Sequence, residues 1–379
     1  MSTKFLLVLL LVIFYSSCIE EYNPKLDNYN NLIVVDGEIT NEEGPYTVIL
    51  RVSSNLDYYK NIYIKGAKVI IEAKSGVREL LTEVSPGVYI TAKNGIRGRI
   101  GEEYRLIIQN GNKTYKSEFA ELKKPIEISS ISSDIENHVI KEENVSFSGY
   151  QFYVSSGVSV DSINYFAWFL NATYKLETNL PIELVYEGYF HKPKFADTLK
   201  TCYVSYNLNQ FYTGTTSNLI GNRIIKKPLV FVPTNDDKLR IRYSLQVKQY
   251  TFDKNAFNFW KQIEKINSSN SSLYNSQPFQ VKGNLKNLDD ENEAVLGYFT
   301  VAGVSSKRVF VDNPIIYESR DCSVGVEKVF EFISISDKSD WPIYLTRNKD
   351  GVLGIADGVC IDCTSEKGAE LKKPWFWID

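Results

Sequence analysis

Between Leu32 and Leu122 apolar and polar residues alternate in short runs: Leu32 to Ile39, Tyr46 to Val52, Ala67 to Ala73, Gly87 to Ala92, Glu103 to Gln109 and Lys113 to Ala120. A period of two sends successive side chains to opposite faces, so each run predicts a half-buried strand. Gly44-Pro45, Ser75-Gly76, Ser85-Pro86-Gly87 and Asn110-Gly111-Asn112 punctuate them as turns. Asn110-Gly111 is a hairpin signal, because both residues tolerate the positive φ of a tight turn. This density of short strands predicts an immunoglobulin-like β-sandwich over 32–124, ending near Lys123-Lys124-Pro125.

Residues 125–379 predict a larger β-rich domain with longer, more aromatic strands: Gln151 to Ser155, Tyr165 to Tyr174, Thr201 to Leu208, Pro228 to Val232, Leu239 to Tyr250, Val295 to Val304 and Lys307 to Val311. From Arg240 to Gln249, Arg, Ser, Gln and Lys alternate with Ile, Tyr, Leu and Val, the signature of a strand with one polar face. One helix interrupts them near 254–267. Asp253 serves as its N-cap, and Phe257, Trp260, Ile263 and Ile266 recur at helical spacing as a core-facing stripe. The fold class is therefore mainly β.

The chain begins differently. Lys4 precedes an apolar run from Phe5 to Tyr15, then Ser16-Ser17-Cys18. The run is shorter than the roughly 20 residues of a membrane-spanning helix and resembles a bacterial lipoprotein signal. Residues 1–17 are then a signal peptide, Cys18 carries acyl chains such as palmitate, and 18–31 form a polar tether. Glu20 and Glu21, beside the anchor, resemble the acidic signal that sends lipoproteins of the Bacteroidota to the outer face of the outer membrane. Cell-surface exposure is the expected location, with the periplasmic face as the alternative.

The net charge of −3 comes with no basic stripe, which argues against a nucleic-acid partner. Four cysteines besides Cys18, namely Cys202, Cys322, Cys360 and Cys363, suit up to two disulfides in an oxidising compartment, with three connectivities open. Cys360-Ile361-Asp362-Cys363 has no second such pair to complete a zinc site, and it follows a turn rather than opening a helix after a strand. The two histidines, His138 and His191, have no nucleophile motif beside them and read as loop residues. Asn348, Asp350, Gly351 and Asp357 match part of a calcium loop, but Thr346 stands where its first acidic ligand belongs. Asp289 to Glu293 reads as a solvated acidic loop. No cofactor or metal is expected, and no catalytic residue is assigned.

Cys18-Ile19-Glu20-Glu21-Tyr22, Leu32 to Gly37 and Gly44-Pro45-Tyr46 resemble the start of the domain-of-unknown-function family numbered 4249, lipoproteins of the Bacteroidota. Val281 to Leu285, Val295 to Phe299, Cys360 to Cys363 and Pro374-Trp375-Phe376-Trp377 are similar to its second half. The resemblance implies an accessory role beside a TonB-dependent outer-membrane β-barrel receptor, and it carries no catalytic residues and no ligand. A non-catalytic accessory or binding subunit of such an uptake system is the favoured expectation. A structural or adhesive surface lipoprotein is the alternative, and an extracellular hydrolase ranks third. Within the polar, aromatic stretch Tyr203 to Asn218, Tyr206, Phe211 and Tyr212 are the candidate binding edge, against core packing. Asp161-Ser162-Ile163 and Asp197-Thr198-Leu199 resemble an O-glycosylation motif at Ser162 and Thr198.

Overall fold

Alternation in the sequence becomes alternation in burial. In the strand Ile33–Thr40, Ile33, Val35 and Ile39 are buried while Asp36 is exposed. The computed structural model describes residues 32–53, 62–140, 145–159, 163–194, 196–234, 237–269, 281–314, 322–327 and 329–379. Cys18, Glu20, Glu21, the signal peptide, the tether and Ser162 lie outside the described residues.

The fold is mainly β. Among the described residues the largest sheet has eleven strands, and its spine runs from Thr201–Asn207 through Tyr165–Glu177, Arg242–Phe252 and Leu296–Asp312 to Ile33–Thr40 and Thr47–Val52. The long strand Leu296–Asp312 joins both halves of the chain. Its first part pairs in parallel with Ile33–Thr40, from Val34↔Leu296 to Thr40↔Ala302. Its second part pairs antiparallel with Arg242–Phe252, from Thr251↔Gly303 to Arg242↔Asp312. The sequence predicts two strands here, broken at Ser305-Ser306, whereas the ladder continues through Gln249↔Ser305 and Lys248↔Ser306. At the changeover a Cβ on Gly303 would stand 2.1 Å from the Lys123 carbonyl oxygen, so only glycine lets the connecting segment cross so closely.

Three cores follow from this sheet. The first lies between its N-terminal strands and a second sheet that includes Lys68–Ala73, Glu103–Asn110 and Lys113–Ser117, and it buries Val35, Leu50, Ile71 and Leu106. Leu285, Val295, Phe299 and Val301 complete it, so residues on both sides of the expected 124/125 boundary share one core. The second lies under a three-stranded sheet that includes Val145–Ser156 and buries Phe152, Trp168, Leu245 and Val247. The third, on the opposite face, seats the helix Lys254–Ser269 through Ala256, Phe257 and Phe259. Asp253 caps that helix as its sequence predicts, its Oδ1 accepting from Ala256 N at 2.8 Å. In Tyr165–Glu177 both faces are used: Phe166, Trp168 and Leu170 enter the second core, Ala167 the third.

Near the C-terminus a small sheet, including Leu184–Tyr186, Ile343–Arg347 and Leu353–Ala356, packs on the short helix Val329–Ile335. Two disulfides tie this region down. Cys202 joins Cys363 and Cys322 joins Cys360, which selects one of the three connectivities. The two cysteines of the Cys360–Cys363 pair thus belong to different bridges.

Candidate functional site

Pairing register decides which side chains meet. Asn171 stands opposite Gln246 and Asn207, and Gln246 stands opposite Arg308. Period two then places Ser244, Gln246, Lys248 and Tyr250 on one face with Ser306 and Arg308. The other face of the same strands, with Leu245 and Val247, is core. The polar half of the Arg240-to-Gln249 alternation therefore becomes the floor of an open cleft of about 1240 Å³.

Two elements bound the cleft. At one end the helix Lys254–Ser269 contributes Trp260, whose ring meets Phe169 edge-on at 5.2 Å. The indole Nε1 of Trp260 is buried with no hydrogen-bond partner among the described residues. At the other end the C-terminal tail crosses the sheet, pinned by Trp377, which packs edge-on against Tyr203 at 5.1 Å and Phe310 at 5.5 Å. A turn closed by Trp377 N to Pro374 O at 3.0 Å presents Trp375 with its side chain 95% exposed.

The charges divide along the cleft. Asp36, Glu38, Glu42 and Glu43 line its N-terminal wall. Lys248 donates to Glu42 at 2.8 Å and Tyr250 donates to Glu38 at 3.0 Å. Burial pushes the Glu38 carboxyl above the usual carboxylate range, although the Tyr250 hydrogen bond and the Lys248 charge oppose it. Arg308 is different. Its Nη1 donates to Ser244 Oγ at 2.8 Å, its Nη2 to Gln246 Oε1 at 2.7 Å, and its guanidinium lies 3.6 Å from the centre of the Phe376 ring. Among the described residues it has no carboxylate partner, and burial lowers its pKa to about 10. The cleft can thus offer unclaimed donors at Arg308 together with the exposed indole of Trp375.

The residues that the sequence singles out are dispersed. Tyr206 and Tyr212 are half-buried against the second core, while Phe211 is buried on the opposite face, 5.3 Å from Phe169 and 5.4 Å from Trp260. They do not form one exposed edge. Phe211 and Tyr212 do line a second, smaller cleft of about 1110 Å³ beside the same helix. Thr198 is exposed in the 3-10 turn Ala196–Leu199. His138 lies within the strand Ile128–Ile140, not in a loop, and its ring stacks on Phe231 at 3.9 Å. His191 lies 3.4 Å from Glu187.

The acidic motifs serve the fold. Thr346 to Asp357 is a hairpin whose Asn348 Oδ1 accepts from the backbone of Asp350 and Val352, and Asp357 caps the next short helix. The Asp289-to-Glu293 segment is a loop exposed from Asp289 to Asn292, and its last residue, half-buried Glu293, accepts from Lys113 at 2.7 Å, Tyr115 at 2.9 Å and Asn287 at 2.6 Å. Burial raises the Glu293 pKa, but these hydrogen bonds outweigh it and leave the carboxyl below its usual range. Among the described residues no group of His, Cys, Asp and Glu is placed to hold a metal ion. Sequence reasoning does not pick out Arg308, which hides as one polar position of a strand; its signal is an arginine in a strand run, Lys307 to Val311, that holds no acid.

A family model described as a domain of unknown function (DUF4249) matches residues 19–308, and the chain belongs to that family. No curated protein matches the chain.

Proposed function

We propose that this DUF4249 protein is an outer-membrane lipoprotein, held by acylated Cys18 and displayed at the cell surface through Glu20 and Glu21. In that place it acts without catalysis, as the ligand-binding accessory subunit of a TonB-dependent uptake receptor, and its N-terminal two-sheet body is an immunoglobulin-like module. The observation that carries the binding role is the open cleft of about 1240 Å³ on the polar face of the main sheet. Its floor is fixed by continuous ladders, and binding to a floor already in place avoids the entropy of ordering one. The acyl tether would hold the cleft at high effective concentration beside a barrel in the same membrane.

The test is purification of the native protein from detergent-solubilised outer membrane, with mass spectrometry of what comes with it. A TonB-dependent barrel recovered in stoichiometric amount supports the role, and recovery of the lipoprotein alone rejects the partnership. A second reading, extracellular hydrolysis, is favoured by one observation: Glu38, with a carboxyl raised toward the protonated form, shares the cleft wall with Glu42, which accepts from Lys248 at 2.8 Å. Turnover of a cell-surface polysaccharide that is lost in Glu38→Gln would establish it over binding.

A further inference from the structure

We propose that the Arg308 end of the cleft is a receptor for one carboxylate, carried on a ring that packs against the Trp375 indole. The inference deepens the binding reading above and rests on it for the cleft, but not for the barrel partner.

A guanidinium taken partly out of water without a counter-ion is costly unless its charge is met. Ser244 and Gln246 take one N–H from each terminal nitrogen, and the Phe376 face offsets part of the charge. The remaining N–H groups have no acceptor among the described residues. The planar fork of a guanidinium matches a carboxylate, whose two oxygens can accept from it side by side.

The charge of the ligand follows from the neighbours. Lys248 is taken by Glu42 at 2.8 Å, and Lys307 donates to the Ser129 carbonyl at 2.8 Å. Among the described residues Lys307 also lacks a carboxylate, but its ammonium is engaged by that carbonyl, so Arg308 is the cation with donors open on the polar face, in a cleft whose far wall carries Asp36, Glu42 and Glu43. A single carboxylate matches the one charge that the Arg308 fork presents, whereas a dianion such as phosphate exceeds it.

The ring follows from the tail. Trp375 stands beside Phe376, with ring centres 5.7 Å apart, and Phe376 lies on Arg308. Trp377 and the bond from Arg242 to the Ile378 carbonyl hold the tail, so the exposed indole is presented from a fixed turn. Ser205, Asn207 and Ser306 are exposed on the adjoining floor, which suits a hydroxylated ring, as in a uronic acid, better than an arene carboxylate.

The experiment is calorimetric titration of the full chain in detergent with glucuronic acid and glucose, and with benzoate and benzyl alcohol. Glucuronate should bind about tenfold more tightly than glucose, the margin expected of a charge-assisted pair, and more tightly than benzoate. Benzoate as the tighter carboxylate would keep the receptor and change the ring. Arg308→Gln should erase the preference of each acid over its neutral counterpart. Trp375→Ala should weaken glucuronate and glucose alike. Equal binding of acid and neutral ligands, no binding of either acid at millimolar concentration, or a preference that survives in a folded Arg308→Gln protein would overturn the proposal. Should Arg308→Gln not fold, unchanged glucuronate binding by Trp375→Ala would overturn it equally. Failure to recover a barrel leaves this result untouched, so the two readings fail separately.

Discussion

Glu72 sits between Arg78 and Arg105, whereas Arg308 sits beside no acid among the described residues, and the difference separates a structural charge from a receptive one. Only 4% of Glu72 is exposed. Burial raises its pKa, but the hydrogen bonds from Arg105 and Arg78 outweigh that effect and hold it below the ordinary carboxylate value of 4.5. A carboxyl with a lowered folded pKa stabilises the protein above its unfolded pKa, and the contribution is lost as the pH falls through the folded value. Glu72→Gln should therefore cost about 2 kcal/mol at neutral pH, read by urea unfolding. The variant should also lose less of its melting temperature than the wild type between about pH 5 and about pH 3. An identical acid slope in both proteins would contradict this account. At the other end of the chain, Cys18→Ala should release the protein from the membrane or leave it as precursor, because acyl burial at ~0.8 kcal/mol per methylene is the anchor in the lipoprotein reading. Acyl labelling and membrane fractionation check it.

At the scale of elements the strand Leu296–Asp312 carries the most. Gly303 marks the point where its partner changes from Ile33–Thr40 to Arg242–Phe252 while the segment at Lys123 to Pro125 crosses above. Gly303→Ala should destabilise by ~1–3 kcal/mol, since backbone atoms and not a flexible side chain must move. Chemical denaturation with an unchanged m-value would confirm a pure stability loss. Much at this scale is legible in the sequence: the Asp253-capped helix, the Asn110-Gly111 hairpin and the alternating strand before Gln249 each obey a local rule. The strand Ile128–Ile140 is not legible, because its Ser, Asp and Glu residues lack the pattern and it exists through pairing with Val145–Ser156. Nor is the unity of Leu296–Asp312, since an exposed Ser306 looks like a break until Lys248 is seen opposite it.

At the scale of the whole molecule, a sheet shared by both halves of the chain predicts shared unfolding. Leu285 and Phe299 enter the same core as Val35 and Leu106, so the N-terminal body cannot lose the later strands and stay closed. Tryptophan fluorescence, with all five indoles at or after Trp168, and far-ultraviolet dichroism should report one coincident transition. Two separated transitions would mean that the halves fold independently. The bridge Cys202–Cys363 spans 161 residues and ties the C-terminal segment to the strand Thr201–Asn207. Replacing both cysteines by alanine should lower stability by ~2–5 kcal/mol, visible as a lower melting temperature. The bridge lies in the second core, close under the sheet whose other face carries the cleft.

Periodicity and turn chemistry act between near neighbours, so the sequence by itself determined the β class, the position of the long helix, most strand centres and the supply of four cysteines for bridging. It also held the resemblance that the family match bears out. What only the tertiary structure decided are matters of partnership across long separations: the pairing of Cys202 with Cys363, the parallel seam between Val34 and Leu296, and the burial of Phe211 away from Tyr206. Arg308 belongs to the same group. In sequence it is one arginine in the run Lys307 to Val311; its lack of a carboxylate among the described residues and its place under Phe376 depend on strands and a tail that meet only when the sheet is complete, because register, not local propensity, chooses the neighbours of a side chain.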